Sequence, residues 1–445
     1  MQRLMSQPLG QPVNIGLVGF GTVGGGVVDL LKTNPNVAFK RIIVKSPSKK
    51  RDVDIPKGCQ VVTDWKSVVE SNDVDVVVEV MGGTGLAKDI VMTAMQNGKH
   101  VVTANKALLS KHLDDLVKVQ KEHPKVYLLY EAAVCGGIPI INVFSRSMAW
   151  DDVSKIVGIM NGTTNFIMTE MEEDPSKKYE AVLADAQNRG YAEADPSADV
   201  EGWDARSKLC LLAKLAFGLT IDEDKVYCQG ISRIKAIDFT YAKMVGHTIK
   251  LLGVAEKRLA DDGSGAQVVN IFLSPCMVSL SNPIGRVNGV TNVVEVTSHN
   301  LGQSYYIGPG AGRYPTANSV VSDILDLTYR IQNAADGAVA PPCFTTEKVA
   351  TNYESDFKAD FYLRFIVDDK VGVIHKVSGL MAQFGVSIFS ILQAPITNPK
   401  QVPFAIITES CRLSTIRQVC KKLADGRRGE FDFLLEDPFF APYLG

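Results

Sequence analysis

Short β-branched apolar runs alternate with helical stretches over roughly the first 144 residues. The run VNIGLVGF (residues 13–20) is apolar nearly throughout, as a parallel strand buried on both faces should be, and similar runs follow it. Between them lie segments such as GLAKDIVMTAMQNGK (residues 85–99), in which apolar residues recur at helical spacing. The alternation predicts βαβ units, and therefore an α/β domain with a parallel sheet over residues 1–144.

The pattern changes over residues 145–309, where longer helical stretches are mixed with isolated strand-like runs such as VSKIVGIM (residues 153–160). This mixture predicts an α+β domain. The glycine-rich turn GPGAG (residues 308–312) then leads into a strongly periodic helical segment. The stretch that follows is rich in Ala and Pro and has little periodicity, which predicts a linker over residues 341–357.

Residues 358–445 carry a second, smaller pattern of strands and helices. DFYLRFIV reads as a strand and VIHKVSGLMAQFG as an amphipathic helix, followed by two strand-like runs and the helical segment LSTIRQVCKKLAD. This length and this order of elements predict a ferredoxin-like module.

Composition and charge restrict the class of protein. The chain has 445 residues, of which 46% are hydrophobic and 22% charged, with a formal net charge of -2. The near-neutral balance argues against nucleic acid or a membrane surface as the main partner, since both require a basic surface. The N-terminus has no apolar core typical of a secretory signal. The eight cysteines are scattered with no C-x-x-C pair, so we expect reduced thiols and a cytoplasmic protein, with an organellar location as the alternative.

The first chemical motif lies between the first predicted strand and helix, where Gly19, Gly21 and Gly24 form G-x-G-x-x-G. The first glycine permits a tight turn, the second lets a pyrophosphate approach the backbone, and the third lets helix and strand pack closely. The strand before the motif and the helix after it are the context in which the motif is informative. We therefore predict a dinucleotide site here, the alternative being a glycine-rich turn without a ligand.

The segment after the second strand indicates which dinucleotide. An NAD site has an acidic residue there for the ribose 2'-hydroxyl, whereas VKSPSKKR offers Lys45, Lys49, Lys50 and Arg51, with no acid before Asp52. Cations suit a 2'-phosphate, so NADP is favoured and NAD remains possible. The alternative is an ordinary basic surface loop.

Two further strands end in residues that suit a site, because ligands of open α/β sheets bind beyond the carboxyl ends of the strands. One strand ends at Gly82 and Gly83, and another is followed by Lys106. Cys135 could suggest a thiol nucleophile, but no nearby histidine is evident as its base, so we interpret it as structural.

The stretch AEADPSADVEGWDARSKL (residues 192–209) admits two interpretations. Runs of charge are usually solvated, so it could be an acidic loop that leads into a helix. If GWDARSKL starts a helix, however, Asp204 and Lys208 stand four residues apart on one face. A lysine held by a carboxylate could transfer a proton to a carbonyl oxygen, while Glu193 and Asp199 could bind an ammonium group.

Taken together, the blocks GFGTVGGGV, TANKALL, YEAAVCGGIPII, GIMNGTTNFI, GYAEADPSADVEGWDARSK and GPGAGRYPTANSVVSDI resemble the homoserine dehydrogenase family. The last 85 or so residues resemble an ACT domain, a small amino-acid-sensing module. The resemblance implies a Rossmann-type nucleotide-binding domain (residues 1–144, completed by about 310–340), an α+β substrate-binding and dimerisation domain (145–309) and a ferredoxin-like ACT domain (358–445).

The resemblance also implies an activity, the reversible reduction of L-aspartate 4-semialdehyde to L-homoserine with NAD(P)H in threonine, methionine and isoleucine biosynthesis. Lys208 matches the family's proton donor and acceptor, and Lys106 matches a second lysine between cofactor and substrate. Glu193, Asp199 and Asp204 match the carboxylates that hold the substrate.

Further sites are implied only by this resemblance. Backbone carbonyls hold a monovalent cation, expected to be sodium, in a segment whose matching residues are Glu131, Val134, Gly136 and Ile138. The cofactor lies against residues that match Phe20, Thr22, Val23, Gly190 and Gly310. An amino-acid effector, expected to be threonine, regulates the enzyme by feedback through the ACT domain, and the assembly is a homodimer or homotetramer.

Two rival functions remain compatible with parts of the pattern. A phosphorylating semialdehyde dehydrogenase would need a thiolate nucleophile with a histidine. A non-catalytic amino-acid sensor would need the ACT module but neither Asp204 nor Lys208, both of which are present.

Overall fold

The computed structural model describes residues 7, 9–260, 263–333, 352–396 and 398–444. The chain divides into two compact units. The first takes its described residues from Met1–Asp152, Cys210–Thr220 and Tyr306–Ala350. The second takes its described residues from Val153–Leu209, Ile221–Tyr305 and Thr351–Gly445.

Within these residues the strands are β1 (Val13–Val18), β2 (Val37–Ile43), β3 (Gln60–Val62), β4 (Val76–Glu79), β5 (His100–Thr103), β6 (Leu128–Leu129), β7 (Val153–Ile159), β8 (Tyr227–Cys228), β9 (His247–Leu259), β10 (Gln267–Ser279), β11 (Thr291–Ser298), β12 (Gly302–Pro309), β13 (Asn352–Glu354), β14 (Lys358–Val367), β15 (Ile388–Leu392), β16 (Val402–Thr408), β17 (Cys411–Arg412) and β18 (Phe439–Leu444). The α-helices are α1 (Thr22–Leu31), α2 (Lys66–Val69), α3 (Gly85–Gln96), α4 (Lys106–Glu122), α5 (Ile140–Asn142), α6 (Gly162–Glu173), α7 (Tyr179–Asn188), α8 (Ser197–Val200), α9 (Trp203–Phe217), α10 (Ala236–Met244), α11 (Arg313–Asn333), α12 (Val373–Gln383) and α13 (Leu413–Asp425). Among these helices, none is both long and apolar enough to cross a bilayer.

The first unit is built on a sheet of six described strands in the order β3-β2-β1-β4-β5-β6, with every pairing parallel. The strand order reverses at β1, and in such sheets the crevice beyond the carboxyl ends at the reversal is where a dinucleotide binds. The predicted Rossmann-type arrangement is confirmed.

Helix α11 packs against α1 in the core of the first unit, although it follows β6 by almost two hundred residues. The approach is close, since a Cβ added at Gly26 would lie 2.9 Å from the Cβ of Ala317. Val28 on α1 and Val320 on α11 are both fully buried in this core. The segment after residue 309 therefore contributes to the unit that contains β1.

His100, at the start of β5, is a partly buried histidine that accepts a backbone hydrogen bond. Its Nδ1 accepts a hydrogen bond of 3.1 Å from the Tyr127 amide, which requires an unprotonated nitrogen. Burial lowers the pKa of His100 below its usual 6.5, and Asp75 opposes this shift in part.

We expect the free energy of unfolding to fall as the pH drops below about 6.5, because the unfolded chain then binds a proton that the folded chain excludes. The loss is limited to about 1.4 kcal/mol per pH unit for one proton. Urea unfolding between pH 7.5 and 5 would measure it, with His100→Gln expected to flatten the profile. The exposed His299 provides the control His299→Gln, and equal profiles for both variants would contradict the assignment.

The second unit contains a sheet in the order β12-β11-β7-β9-β10-β18-β14-β16-β15, with β8 and β13 pairing along β10 and β17 along β14. Residues 203–209 of α9 and 302–305 of β12 belong to this unit. The long hairpin β9–β10 is its centre, and the first nine residues of β9 are all buried. Such a run has no apolar–polar alternation, and for that reason its pattern does not distinguish a strand from a helix.

The last strands form the predicted ferredoxin-like module, in which the chain order β14-α12-β15-β16-α13-β18 gives an antiparallel sheet ordered β18-β14-β16-β15. Strand β18 was not predicted. It also pairs in parallel with β10, where Met277 and Val278 face Tyr443 and Leu444, so the module's sheet continues into the sheet around β10.

The structure describes only the end of the predicted linker. Residues 352–354 form β13 on the edge of β10, and Phe357 is 1% exposed and stacks on Phe272 with ring centroids 3.6 Å apart. These residues therefore anchor the C-terminal module to the core of the second unit.

Candidate active site

The glycine turn of the first unit has the geometry that its sequence predicts. Gly19 has a φ of +101°, and an added Cβ would lie 2.9 Å from the backbone of Met81. An added Cβ at Gly24 would lie 2.1 Å from the Gly19 carbonyl oxygen. These contacts bring the end of β1 against the turn after β4, and they permit no larger side chain at either position.

Gly21 and the start of α1 form an open surface suited to a phosphate. An added Cβ at Gly21 would meet no atom within 4 Å, so a ligand can reach this part of the backbone. Gly21 precedes the first helical residue, Thr22, and the first turn carries no acidic side chain. The first amide groups of a helix have no intrahelical hydrogen-bond partners, and they lie at the positive end of the helix dipole. Helix starts of this kind commonly bind a pyrophosphate.

The basic segment after β2 lies next to this turn. Arg51 donates hydrogen bonds to the carbonyl oxygens of Ser46 (2.9 Å) and Lys49 (2.7 Å), and its guanidinium carbon is 5.7 Å from the centroid of the Phe20 ring. Lys45 is exposed at the start of the loop. The acid that follows, Asp52, is occupied by an ion pair with Arg313. The loop thus presents cations beside the glycine turn, with its nearest carboxylate neutralised.

A buried carboxylate, Glu79, shapes the turn at the end of β4. It is fully buried, accepts hydrogen bonds from the amides of Met81 (2.9 Å) and Gly82 (3.2 Å), and accepts another from the Thr103 hydroxyl (2.7 Å). Asn105 in turn donates to the Gly83 carbonyl at 2.7 Å. Lys106 follows as the first residue of α4, so the predicted residues Gly82 and Lys106 lie at adjoining strand ends.

The predicted cation segment is a strained loop. Cys135 has a φ of +53°, unusual for a residue with a side chain, and Gly136 follows at +47°. The Gly136 carbonyl accepts the Ser319 hydroxyl at 2.7 Å, and the Gly137 amide donates to Pro309 at 3.0 Å. An added Cβ at Gly136 would lie 2.6 Å from the Gly310 carbonyl oxygen, so these two predicted glycines are in contact.

Buried carboxylates lie under this loop. Glu131 is 2% exposed and accepts hydrogen bonds of 2.8 Å from the amides of Ile141 and Asn142, while burial raises its pKa to about 7. The Glu131 amide donates to Asp323 at 2.9 Å, and burial raises the pKa of Asp323 well above its usual range. Among the described residues, no group of three or more His, Cys, Asp and Glu side chains is arranged to hold a metal ion.

In the second unit, Asn161 organises the predicted substrate residues. It follows β7 and is the N-cap of α6, where its Oδ1 accepts the Thr164 amide at 2.9 Å. Because the cap occupies Oδ1, Nδ2 points the other way and donates to Asp199 Oδ1 (2.7 Å) and Asp204 Oδ2 (3.0 Å). One amide thus holds two carboxylates on the same side of the helix start.

Lys208 completes this cluster. Its Nζ lies 2.9 Å from Asp204 Oδ2, one helical turn earlier on α9, and donates to the Met160 carbonyl at 2.7 Å. Asp204 and Lys208 are each 8% exposed. Gly202, with a φ of +84°, makes the turn between α8, which carries Asp199, and α9. We call Asn161, Asp199, Asp204 and Lys208 the lysine cluster.

The lysine cluster has the chemistry of a proton-transfer site. A carboxylate and a carbonyl oxygen hold one ammonium group in a nearly buried position, and a second carboxylate is close to them. Two predicted site residues, Glu193 and Gly190, are not part of the lysine cluster. Both are exposed on the segment that precedes α8. The acidic stretch is therefore a solvated loop at its start and a structured site from Asp199 onward.

Asn161 and Glu79 are the residues that sequence reasoning missed. The block NGTTNFI was noted only as part of a resemblance, although a polar residue between a buried strand and a helix predicts an N-cap. Glu79 is an acid inside an otherwise apolar predicted strand. A charged residue there indicates a hydrogen-bonded site, because buried charges need partners.

Three segments of the chain match known protein families. Residues 19–131 match the homoserine dehydrogenase NAD binding domain, residues 139–325 match homoserine dehydrogenase, and residues 361–425 match the ACT domain. The glycine turn lies in the first match, and the lysine cluster lies in the second.

Relatives and solved structures extend the likeness along the chain. A homoserine dehydrogenase of Bacillus subtilis is 36% identical over 425 residues, which cover 93% of this chain and 95% of that protein, and one from Synechocystis is 37% identical over 396 residues, covering 87% and 90%. The crystal structure of a homoserine dehydrogenase from Thiobacillus denitrificans matches with a TM-score of 0.86 and 31% identity over 97% of this chain and 98% of that one. A hyperthermophilic archaeal homoserine dehydrogenase in complex with NADPH matches with a TM-score of 0.58 and 25% identity over 72% and 98%.

Proposed function

The chain belongs to the homoserine dehydrogenase family, and on this premise we propose how its residues carry out the reaction. It is an NAD(P)-dependent oxidoreductase that interconverts L-homoserine and L-aspartate 4-semialdehyde, and its ACT domain indicates regulation by an amino acid. The proposal concerns the role of each residue, the preferred dinucleotide and the cation.

Lys208 is the proposed group that exchanges a proton with the substrate oxygen. The observation that carries this role is the position of Nζ, 2.9 Å from Asp204 Oδ2 and 2.7 Å from the Met160 carbonyl oxygen. Both neighbours stabilise the charged ammonium, and their geometry fixes it in a nearly buried place. An ammonium held in this way can donate a proton when negative charge develops on an oxygen.

When bound at the glycine turn, the nicotinamide dinucleotide would supply a hydride to the aldehyde carbon in the reductive direction. Lys208 stabilises the charge that develops on the aldehyde oxygen and gives it a proton, so the product is an alcohol. In the oxidative direction Lys208 acts from its neutral amine form, which takes the hydroxyl proton as hydride leaves the carbon and becomes the ammonium. No covalent intermediate is needed, which agrees with a structural role for Cys135.

Asp199 and Asp204 are the proposed partners of the substrate's polar groups. Asn161 holds both carboxylates, so the site offers negative charge to the α-ammonium of homoserine next to the proton donor. We propose the same role for Glu193, which is exposed on the loop before α8, and a cofactor contact for Gly190 on that loop.

Asp199→Asn tests this substrate role. We expect KM for homoserine to rise about 10- to 100-fold with a smaller change in kcat, because hydrogen bonds to charged groups contribute about 1.5–3 kcal/mol. Asp195→Asn is the matched control, since Asp195 belongs to the same acidic stretch but is exposed and bonded to Ser197. Equal KM values for the two variants would mean that the stretch is only a solvated loop.

The glycine turn is the proposed dinucleotide site. Gly19, Gly21 and Gly24 with the start of α1, at Phe20, Thr22 and Val23, would hold the pyrophosphate. Gly82, Lys106 and Gly310 would line the nicotinamide end. The turn fits the group, because Gly21 is open to solvent and the first turn of α1 carries no acid.

NADP is the proposed preferred cofactor, with NAD as the weaker alternative. The cationic loop at Lys45 and Arg51 suits a 2'-phosphate, and Asp52, which could compete for these cations, is paired with Arg313. The archaeal relative solved with NADPH is consistent with this choice.

Lys45→Glu should lower kcat/KM for NADP about 10- to 100-fold and change kcat/KM for NAD much less, since one charge-assisted hydrogen bond to the 2'-phosphate would be lost. Initial rates with both cofactors measure the ratio. Lys121→Glu, an exposed site with the same charge change, is the control. A parallel decrease with both cofactors would exclude a specific contact to the 2'-phosphate.

A monovalent cation, sodium, is the proposed ligand of the loop at Glu131, Val134, Gly136 and Ile138. Backbone carbonyls in a strained turn are suitable donors for a hard cation, and the buried side chains of Glu131 and Asp323 lie under the loop. The cation would fix this loop against the Gly310 segment.

The domain roles follow the same proposal. The dinucleotide-binding domain is residues 1–144, completed by about 310–340. The substrate-binding and dimerisation domain is residues 145–309. A linker (341–357) joins it to the amino-acid-sensing domain (358–445). Threonine is the proposed effector, and the assembly is a homodimer or homotetramer.

A further inference from the structure

The lysine cluster and the residue before it form a closed ring of hydrogen bonds. Asn161 Nδ2 donates to Asp204 Oδ2 at 3.0 Å, and the same carboxylate oxygen lies 2.9 Å from Lys208 Nζ. Lys208 Nζ also donates to the Met160 carbonyl oxygen at 2.7 Å, and Met160 directly precedes Asn161 in the chain. Two consecutive residues thus hold the proposed proton donor, one directly and the other through Asp204.

The orientation of the Asn161 amide is fixed by its partners. Oδ1 accepts the Thr164 amide at 2.9 Å, while Nδ2 faces the carboxylates of Asp199 (2.7 Å) and Asp204 (3.0 Å). A flipped amide would set its oxygen against two carboxylates and its NH2 group against the Thr164 amide, so only one orientation satisfies all the partners. Asn161 is 5% exposed, which leaves water little access to take its place.

The start of α6 is itself held in place by a distant segment of the same unit. Asn165, one turn along the helix, donates to the Thr291 carbonyl oxygen at 3.2 Å. Gly162 approaches the same segment closely, since an added Cβ would lie 2.7 Å from the Val290 carbonyl oxygen. The helix start, and with it the Asn161 side chain, is therefore fixed independently of the lysine cluster.

The shared amide also controls the charges of the cluster. Asp199 and Asp204 accept hydrogen bonds from one nitrogen, so their carboxylates are near neighbours, and like charges at short range repel each other. Asp204 is 8% exposed, so water screens this repulsion only weakly. Without the common donor the two carboxylates would separate, and Lys208 would be displaced together with Asp204.

We propose that Asn161 is a positioning residue of the reaction, an inference that rests on the proposed function. Its amide acts through Asp204 to place the Lys208 side chain at the substrate oxygen. It acts through Asp199 to keep a second carboxylate beside the α-ammonium of homoserine. Capping of α6 is a separate task, which belongs to Oδ1 and which other capping residues can perform.

Two variants of the full-length chain separate these tasks. Asn161→Ser and Asn161→Asp both retain an oxygen that can cap α6, because Ser and Asp are good N-cap residues, but neither supplies an NH2 group. Asn282→Asp is the matched control, since Asn282 caps the turn Pro283–Arg286 of the same unit through the Ile284 amide. We would measure kcat and KM for homoserine, the NADPH dissociation constant and the urea midpoint.

We expect kcat of both Asn161 variants to fall about 10- to 100-fold, because small displacements of reacting groups reduce rates on this scale. The NADPH dissociation constant should stay within about twofold of that of Asn282→Asp. The urea midpoint of Asn161→Ser should stay close to that of the wild type, since the cap is retained. If Asn161→Asp does not fold, Asn161→Ser alone decides.

A double variant tests the hydrogen bond itself. Asp199→Asn combined with Asn161→Asp exchanges the amide and the carboxylate, so an amide again donates between the two positions and the cluster regains its original charge. The kcat of this double variant should exceed that of Asn161→Asp about tenfold or more, as expected for directly coupled residues.

Three results would overturn the proposal and leave the proposed function intact. The first is a kcat of Asn161→Ser equal to that of Asn282→Asp, and the second is a double variant no more active than a folded Asn161→Asp. The third is a kcat that falls only together with the urea midpoint, which would show a purely structural role. A wild type that binds NADPH without oxidising homoserine would contradict the proposed function instead.

Discussion

Lys208→Ala is expected to reduce kcat for homoserine oxidation by about 10²- to 10⁴-fold, the usual contribution of a positioned proton donor or acceptor. NADPH affinity should stay within about twofold, since Lys208 belongs to the second unit and the glycine turn to the first. Steady-state kinetics and fluorescence titration of NADPH measure the two quantities. Removal of the ammonium leaves Asp204 and the Met160 carbonyl oxygen without this donor, so KM for homoserine should change as well.

Lys208→Arg separates charge from proton transfer. The guanidinium keeps the positive charge next to Asp204 but does not release its proton in the accessible pH range, so kcat should remain low. Lys177→Ala is the control, because Lys177 is an exposed lysine of the same unit that pairs with Glu170. A Lys208→Ala variant that turns over like Lys177→Ala would refute the proposed role.

Asp238→Asn is expected to destabilise the second unit by about 3–5 kcal/mol, the cost of removing one partner of a buried ion pair. Arg364 of β14 is 2% exposed and pairs with Asp238 of α10, which is fully buried and also accepts the Tyr362 hydroxyl at 2.7 Å. The variant leaves a buried guanidinium with Glu436 as its remaining carboxylate, at 3.1 Å. Urea unfolding followed by circular dichroism measures the change.

Two further variants make this result specific. Arg364→Met combined with Asp238→Asn should recover part of the lost stability, because the uncompensated charge is then absent. Arg258→Met, which removes a partly exposed ion pair with Glu354, should cost about 1 kcal/mol or less. If Asp238→Asn and Arg258→Met shifted the urea midpoint equally, the larger cost assigned to breaking the buried pair would be refuted.

The parallel sheet of the first unit follows from the sequence because most of its strands are short apolar runs that alternate with helical segments. Strands β9 and β18 could not be predicted from the sequence pattern. The first is buried over nine consecutive residues, so its periodicity is absent. The second, FFAPYL, is short, contains a proline and owes its place to two neighbours that are distant in sequence, β10 and β14.

The candidate site shows the same division. The spacing of Asp204 and Lys208 on a helix predicts their contact, because a helical turn brings residues four apart together. The role of Asn161 in holding Asp199 and Asp204 depends on a tertiary contact between the start of α6 and the segments on either side of Gly202. A local sequence pattern does not predict such a contact. The sequence groups Glu193 with Asp199 as partners of an ammonium group, whereas the structure shows Glu193 exposed and Asp199 hydrogen-bonded to Asn161.

The initial rate of homoserine oxidation by the purified chain, followed by the absorbance of the reduced cofactor with NADP and NAD in parallel, tests the central claim most directly. We expect turnover with both cofactors and a higher kcat/KM with NADP. A folded chain that binds NADPH and oxidises homoserine with neither cofactor would contradict the account.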